Sequence, residues 1–184
     1  VEPQSSGIGG GAFLVHYDGK KVQAFDGRET APMAANEHLF QNPDGTPVSR
    51  TTGVVGGRSV GAPGVLRMLE MAHKEHGKLP WKALFAPAID LSERGFPVSE
   101  RLNGMLLWDK HIRKDPVAAA YFYDKAGKPW PVGHLLKNPE LADTLRAIAV
   151  GGADAFYKGY IANDIAAKVA SHPTNPGLLS AADI

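Results

Sequence analysis

The chain has 184 residues, of which 43% are hydrophobic and 21% charged, and its 20 basic residues nearly offset 19 acidic ones for a formal net charge of +1. This length and apolar content suffice for a buried core without covalent staples and exclude global disorder, while the charge balance excludes the surplus of Lys and Arg that nucleic acid or an anionic membrane requires. With no cysteine present, disulfides, thiolate metal ligands and a cysteine nucleophile are ruled out, and no apolar run approaches the roughly 20 residues of a membrane span.

Behind a glycine cluster at residues 7–11, Phe13 to Tyr17 and Lys21 to Phe25 are β-prone runs separated by Asp18-Gly19. That pattern predicts a hairpin over residues 11–26 closed by a type I′ turn, whose central residues both take positive φ. Residues 36–64 are rich in Gly, Pro, Asn, Asp, Ser and Thr and predict loop, with a turn at Pro43-Asp-Gly45 and one short strand at 58–60. Val65, Leu69, Ala72 and His76 fall on adjacent helical turns that Gly77 would cap. Trp81, Leu84, Phe85, Ala88, Ile89 and Leu91 keep helical spacing up to Gly95, but Pro87 removes a backbone donor and should kink or split that helix.

Further helices are predicted over 98–112, 139–149 and 160–171, the second opened by Asn138-Pro139-Glu140 with proline in the first turn; 124–133 reads as polar turn and linker. Ser180 followed by Ala-Ala-Asp resembles an N-cap whose helix is missing, and the chain starts without methionine, so a fragment of a longer protein is expected. A hairpin followed by helices does not alternate strand with helix, which disfavours a doubly wound parallel sheet and predicts an α+β class. The expected organisation is one partial domain: residues 1–35 as glycine-rich loop and hairpin, 36–64 as loop, 65–184 as helical region. Two strands make a poor sheet alone, so the hairpin is expected to pair with strands outside this chain.

Gly7-Ile8-Gly9-Gly10-Gly11-Ala12 formally fits the G-x-G-x-x-A dinucleotide fingerprint, but a strand follows it where a helix should begin. A tight backbone passage, or a glycine-lined wall beside a ligand, are the other readings. His73 and His76 have a spacing that can hold a metal on a helix; without a third ligand nearby they read as surface residues in a last helical turn. His16, His38, His111, His134 and His172 are scattered, and the mixed charges from Trp108 to Asp115 read as a solvated helix end. Ser5, Ser6, Thr30, Thr51 and Thr52 carry hydroxyls but no adjacent base or nucleophile elbow. Arg28 stands out in Asp26-Gly27-Arg28-Glu29-Thr30-Ala31-Pro32, just past a predicted strand and suited to bidentate recognition of a carboxylate. An ion pair with Asp26, Glu29 or another surface group is the competing reading.

Three segments carry a resemblance: Glu2-Pro-Gln-Ser-Ser-Gly-Ile-Gly-Gly-Gly-Ala-Phe13, Asp26 to Pro32, and Gly61-Ala-Pro-Gly64. Together with Leu79-Pro-Trp81, Ala88-Ile-Asp-Leu91, Gly95-Phe-Pro-Val98 and Ala155-Phe-Tyr-Lys-Gly159, they make essentially the whole chain resemble γ-glutamyltransferases, also called γ-glutamyl transpeptidases. The resemblance implies an N-terminal nucleophile (Ntn) hydrolase fold of αββα layers, with this chain an internal piece of the large subunit. It also implies a precursor that cleaves itself, and a threonine at the start of the small subunit that attacks the γ-glutamyl bond of glutathione or a related amide. The acyl group then passes to an amino acid, a peptide or water. By the same resemblance Arg28 holds the substrate α-carboxylate, no metal or organic cofactor is needed, and the catalytic threonine lies outside this chain. The implied partners are the γ-glutamyl donor, the small subunit and the rest of the large subunit, in a periplasmic or extracellular setting, with neither nucleic acid nor a membrane span. Cephalosporin and glutaryl acylases share much of the pattern, and a non-catalytic binding module descended from the family is a further alternative.

Overall fold

The computed structural model describes residues 2–184. The chain forms two compact units, one made of the stretch up to Gly7 with Leu79–Val150 and the other of Ile8–Lys78 with Gly151–Ile184.

The second unit opens with the hairpin: β1 (Ala12–Tyr17) pairs antiparallel with β2 (Val22–Gly27), from Ala12↔Gly27 to Tyr17↔Val22. Its turn is not the predicted type I′, since Gly19 takes a φ of 96° but Asp18 does not have positive φ. Asp18 Oδ1 instead accepts the Lys20 and Lys21 N–H groups at 2.7 and 2.8 Å, a side-chain closure that relieves Asp18 of the left-handed conformation. The loop expected at 36–64 contains a short helix, α1 (Arg50–Val54), capped by the Ser49 side chain. The strand expected at 58–60 does not form, because the Val60 N–H turns back onto the Gly57 carbonyl at 3.0 Å. A single antiparallel bridge joins Thr30 to Ala62 instead. As predicted, α2 spans Val65–His76 and ends at Gly77. Its Met68 and Ala72 pack with Phe25, Leu14 and Ala12 on one face of the hairpin, while Phe13, Val15, Tyr17 and Val22 are exposed.

In the first unit Pro87 splits the helix as expected, leaving α3 (Trp81–Leu84) and α4 (Ala86–Arg94), and Gly95 closes the second with φ of 91°. β3 (Phe96–Pro97) precedes α5 (Glu100–Trp108), whose first turn is capped by Ser99. The helix predicted over 98–112 stops at Trp108 because the Asp109 carboxylate takes the N–H groups of His111 and Ile112 and starts a short 3-10 turn at Ile112–Lys114. An unpredicted α6 (Pro116–Phe122) is capped by Asp115, and β4 (Leu135–Leu136) pairs antiparallel with β3. Phe96, Val98, Leu102, Leu106, Tyr123 and Leu136 form the core there. α7 (Pro139–Gly151) follows, with Ala142, Leu145 and Ile148 buried and the Ile148 carbonyl accepting the Trp81 indole N–H at 3.1 Å.

The second unit resumes with α8 (Asp154–Tyr157), which was not predicted, and α9 (Tyr160–Ala170). Beyond α9, the buried Asn175 joins three segments. Its Nδ2 donates to the Thr52 and Val55 carbonyls, both at 2.6 Å, its Oδ1 accepts Arg58 Nε at 2.8 Å, and its carbonyl accepts the Gly57 N–H. Ser180, expected to cap a helix, bonds Asp183 within a turn, and the same carboxylate holds the Met33 N–H at 2.8 Å. No helix among the described residues is long and apolar enough to cross a membrane. The result is α+β, a hairpin followed by mainly helical chain, as the pattern of residues predicts.

Candidate functional site

Three stretches singled out in the sequence meet at the open end of the hairpin: residues 10–12, 26–30 and 61–64. The Gly10 carbonyl accepts the N–H groups of Gly64 and Val65 at 3.2 and 3.1 Å, and Thr30 and Ala62 exchange backbone hydrogen bonds of 3.3 and 2.9 Å. These contacts bring main chain against main chain, which glycine makes possible. A Cβ on Gly64 would lie 2.6 Å from the Gly27 carbonyl oxygen and 2.7 Å from that of Arg28. One on Gly11 would lie 2.6 Å from the Gly27 oxygen, 2.7 Å from Glu29 Oε2 and 2.8 Å from Arg28 Cα. Gly10 and Gly11 are therefore a tight passage into a strand, while Gly7 and Gly9 have no heavy atom within 4 Å of their Cβ positions; the helix that a dinucleotide site needs does not follow the cluster.

Arg28 is the first residue past β2. Its backbone N–H is taken by Asp26 Oδ1 at 2.9 Å, which fixes the chain direction where the strand ends. The guanidinium meets Glu29 Oε2 through Nη2 at 2.8 Å and the Gly11 carbonyl through Nη1 at a long 3.5 Å. The Phe13 ring centre stands 6.0 Å from its Cζ, at the edge of cation–π range. Arg28 thus does form the ion pair with Glu29, while Asp26 serves its backbone. Half exposed at 52% against 31% for Glu29, the guanidinium has five N–H donors and commits one edge to these partners. The rest can receive a planar anion.

Under the site, α2 is tied into its unit by charge. Arg67 bonds Glu70 and Asp154 at 2.8 and 2.5 Å, and Lys74 and Lys158 close on the same two carboxylates. Burial acts to raise the Glu70 carboxyl, but the Ala153 N–H, Lys74 and Arg67 together hold it below its ordinary value. Lys158 and then Arg67 hold the Asp154 carboxyl down to about 2. This network gave no sequence signal beyond the i, i+3 spacing of Arg67 with Glu70 and the i, i+4 spacing of Glu70 with Lys74 and of Asp154 with Lys158.

Of His73 and His76, the second has its Nε2 facing Gln23 Oε1 at 2.9 Å, and its ring stacks on His16 with centroids 3.9 Å apart. His76 is only 25% exposed, so it is a packed contact between helix and hairpin and not the surface residue expected. No group of three or more potential ligands converges among the described residues. Of the hydroxyls weighed as nucleophiles, Ser5 accepts from Arg101 and Thr52 shares a hydrogen bond with Ser49, whereas Thr30 contributes its backbone to the bridge. None of these partners is a base.

The family model described as Gamma-glutamyltranspeptidase matches residues 1–184. Among curated proteins the chain is 42% identical over 165 residues to Glutathione hydrolase 3 of Arabidopsis thaliana, covering 88% of this chain and 25% of that protein. It is 36% identical over 167 residues to the Glutathione hydrolase proenzyme of Bacillus subtilis (strain 168), covering 90% and 28%. The chain therefore spans between a quarter and a third of the length of these relatives. Among solved structures it is similar to Helicobacter pylori gamma-glutamyltranspeptidase, with a TM-score of 0.90, 31% identity, and coverage of 98% of this chain and 51% of that one. The cephalosporin acylase from Bacillus halodurans shares the fold at a TM-score of 0.75 and 27% identity, over 96% of this chain and 33% of that one.

Proposed function

The chain belongs to the gamma-glutamyltranspeptidase family and has the α+β character of its Ntn-hydrolase fold, and from that premise we propose that it supplies the carboxylate-binding part of the large subunit of a γ-glutamyltransferase. The enzyme would cleave the γ-glutamyl bond of glutathione and related amides and pass the glutamyl group to an amino acid, a peptide or water. One observation carries this reading: Arg28 stands at the end of β2 with one edge anchored by Glu29 and donors left for a second carboxylate.

In this reading Arg28 binds the donor's α-carboxylate through parallel charge-assisted hydrogen bonds and so fixes where the γ-carbonyl sits. The nucleophile is a threonine at the start of a small subunit, exposed by self-cleavage of a precursor, whose own α-amino group serves as base. The Bacillus subtilis relative, named a proenzyme, supports such processing. The exposed Phe13, Val15, Tyr17 and Val22 on the outer face of the hairpin suit a second sheet packed over them, as an αββα sandwich requires. A periplasmic or extracellular location and independence of any cofactor belong to the same proposal.

The test is steady-state kinetics of the complete processed enzyme carrying Arg28→Ala. By analogy with truncating one partner of a buried charge pair, about 2–5 kcal/mol is lost, or about 30- to several-thousand-fold in kcat/KM, with self-cleavage intact. Unchanged kinetics for a γ-glutamyl donor would remove Arg28 from the site. An acylase reading is favoured by the shared fold with the cephalosporin acylase; faster turnover of a glutaryl amide than of its γ-glutamyl counterpart would select it.

A further inference from the structure

Glu29 Oε2 meets the Arg28 guanidinium at 2.8 Å, and the same oxygen occupies the space in which a Gly11 side chain would sit, 2.7 Å from a Cβ built there. The other oxygen, Oε1, lies 3.3 Å from a Cβ built on Gly10. A Gly11 Cβ would also press on Arg28 Cα at 2.8 Å and on the Gly27 carbonyl at 2.6 Å, both main-chain neighbours that cannot swing aside. Gly9, by contrast, has no heavy atom within 4 Å of its Cβ position, and Gly11 does not take positive φ. Conformational freedom is therefore not what residue 11 needs from glycine. It needs an empty volume, and the Glu29 carboxylate fills that volume.

We infer that Gly11, assisted by Gly10, is a specificity-determining positioning residue: by lacking side chains these glycines let Glu29 hold the Arg28 guanidinium in the orientation that receives the donor's α-carboxylate. This rests on the reading of Arg28 as the carboxylate ligand. A methyl group at residue 11 displaces the Glu29 carboxylate or the Arg28 backbone, and either movement turns the guanidinium fork away from the bound anion. Because a bidentate pair depends on the alignment of two planar groups, the rotation weakens use of a donor that carries the α-carboxylate and has little effect on one that carries a neutral carboxamide there.

The experiment compares two donors, a γ-glutamyl nitroanilide and its α-carboxamide analogue, on the complete processed enzyme, and reads the ratio of their kcat/KM values. Wild type and Gly9→Ala should favour the carboxylate donor strongly, and Arg28→Ala should abolish the preference. Gly11→Ala is expected to lower the ratio by about tenfold, the scale of one charge-assisted hydrogen bond, mainly through KM for the carboxylate donor. Gly10→Ala, whose contact is with the flexible end of Glu29, is expected to lower it by roughly threefold, a fraction of the same effect. It decides the matter alone if Gly11→Ala fails to process. A ratio left at the wild-type value, or rates that fall equally for both donors, would overturn the inference and make the glycines purely structural. If Arg28→Ala itself keeps the preference, the underlying reading of Arg28 fails, and the inference falls with it.

Discussion

Glu70 and Ala153 stand 83 positions apart, yet the Glu70 carboxylate accepts the Ala153 backbone N–H at 2.9 Å. That bond ties the middle of α2 to the turn ahead of α8. Glu70 is 12% exposed and Ala153 fully buried, so water cannot readily replace either partner. The other Glu70 oxygen receives Arg67 and Lys74, so one carboxylate anchors helix, turn and two cations.

Glu70→Ala is expected to destabilise the protein by about 2–4 kcal/mol, because it removes charge-assisted bonds and strands a buried N–H donor. Glu70→Gln keeps an acceptor for Ala153 and should cost less than the alanine variant. Urea denaturation of the complete protein checks the order; equal losses for both variants would assign the effect to charge alone.

The pH response of the same network follows from Asp154, held at about 2 against an ordinary 3.8 by Lys158 and Arg67. A carboxyl depressed on folding is protonated first in the unfolded chain. Its stabilisation is complete above the unfolded value of about 4 and is lost as pH falls through the folded one. Thermal melts of wild type and Asp154→Asn should therefore be farthest apart near neutrality and converge as the pH is lowered from about 4 to about 2. Parallel curves across that window would show that Asp154 makes no such contribution.

Gly64→Ala should cost about 1–3 kcal/mol as an overpacking change, since the added carbon meets two backbone oxygens, those of Gly27 and Arg28. Hydrogen exchange gives the signature: amides at the open end of the hairpin should lose protection, while those near the Asp18 turn keep theirs. Uniform loss along the hairpin would contradict this.

Arg28→Lys retains charge but not the planar fork. A single ammonium cannot lie flat against Glu29 and an incoming carboxylate together, so KM for a γ-glutamyl donor should rise by at least about tenfold, the loss of one of two charge-assisted bonds. Kinetics equal to wild type would show that charge alone suffices.

Local chemistry made part of this fold legible. Asp18-Gly19 announces the hairpin, the Val65–His76 spacing announces α2, and Pro87 announces the break between α3 and α4. The pieces that escaped are short and supported by distant partners. α8 is four residues long and starts beside Ala153, whose N–H goes to Glu70; β3 and β4 are two residues each and exist only by pairing with a segment distant in sequence, Phe96 with Leu136 and Pro97 with Leu135. Arg28 was legible as a candidate because it follows a strand. What surrounds it was not, because the use of Gly11 is set by a side chain from residue 29 that folding places on top of it.

Asn175 is followed by Pro176, and this has a consequence for how the protein ages. Asparagine usually loses its side-chain amide when the next residue's backbone nitrogen closes on it to form a succinimide, and proline's nitrogen has no hydrogen with which to do so. The alternative attack, by the asparagine's own amide nitrogen on its backbone carbonyl, requires Nδ2 to leave the Thr52 and Val55 carbonyls it holds at 2.6 Å. Both chemical routes to damage are thus obstructed at the residue that fastens α1, Arg58 and the segment after α9, so this junction should outlast exposed asparagines elsewhere in a protein stored warm and at alkaline pH.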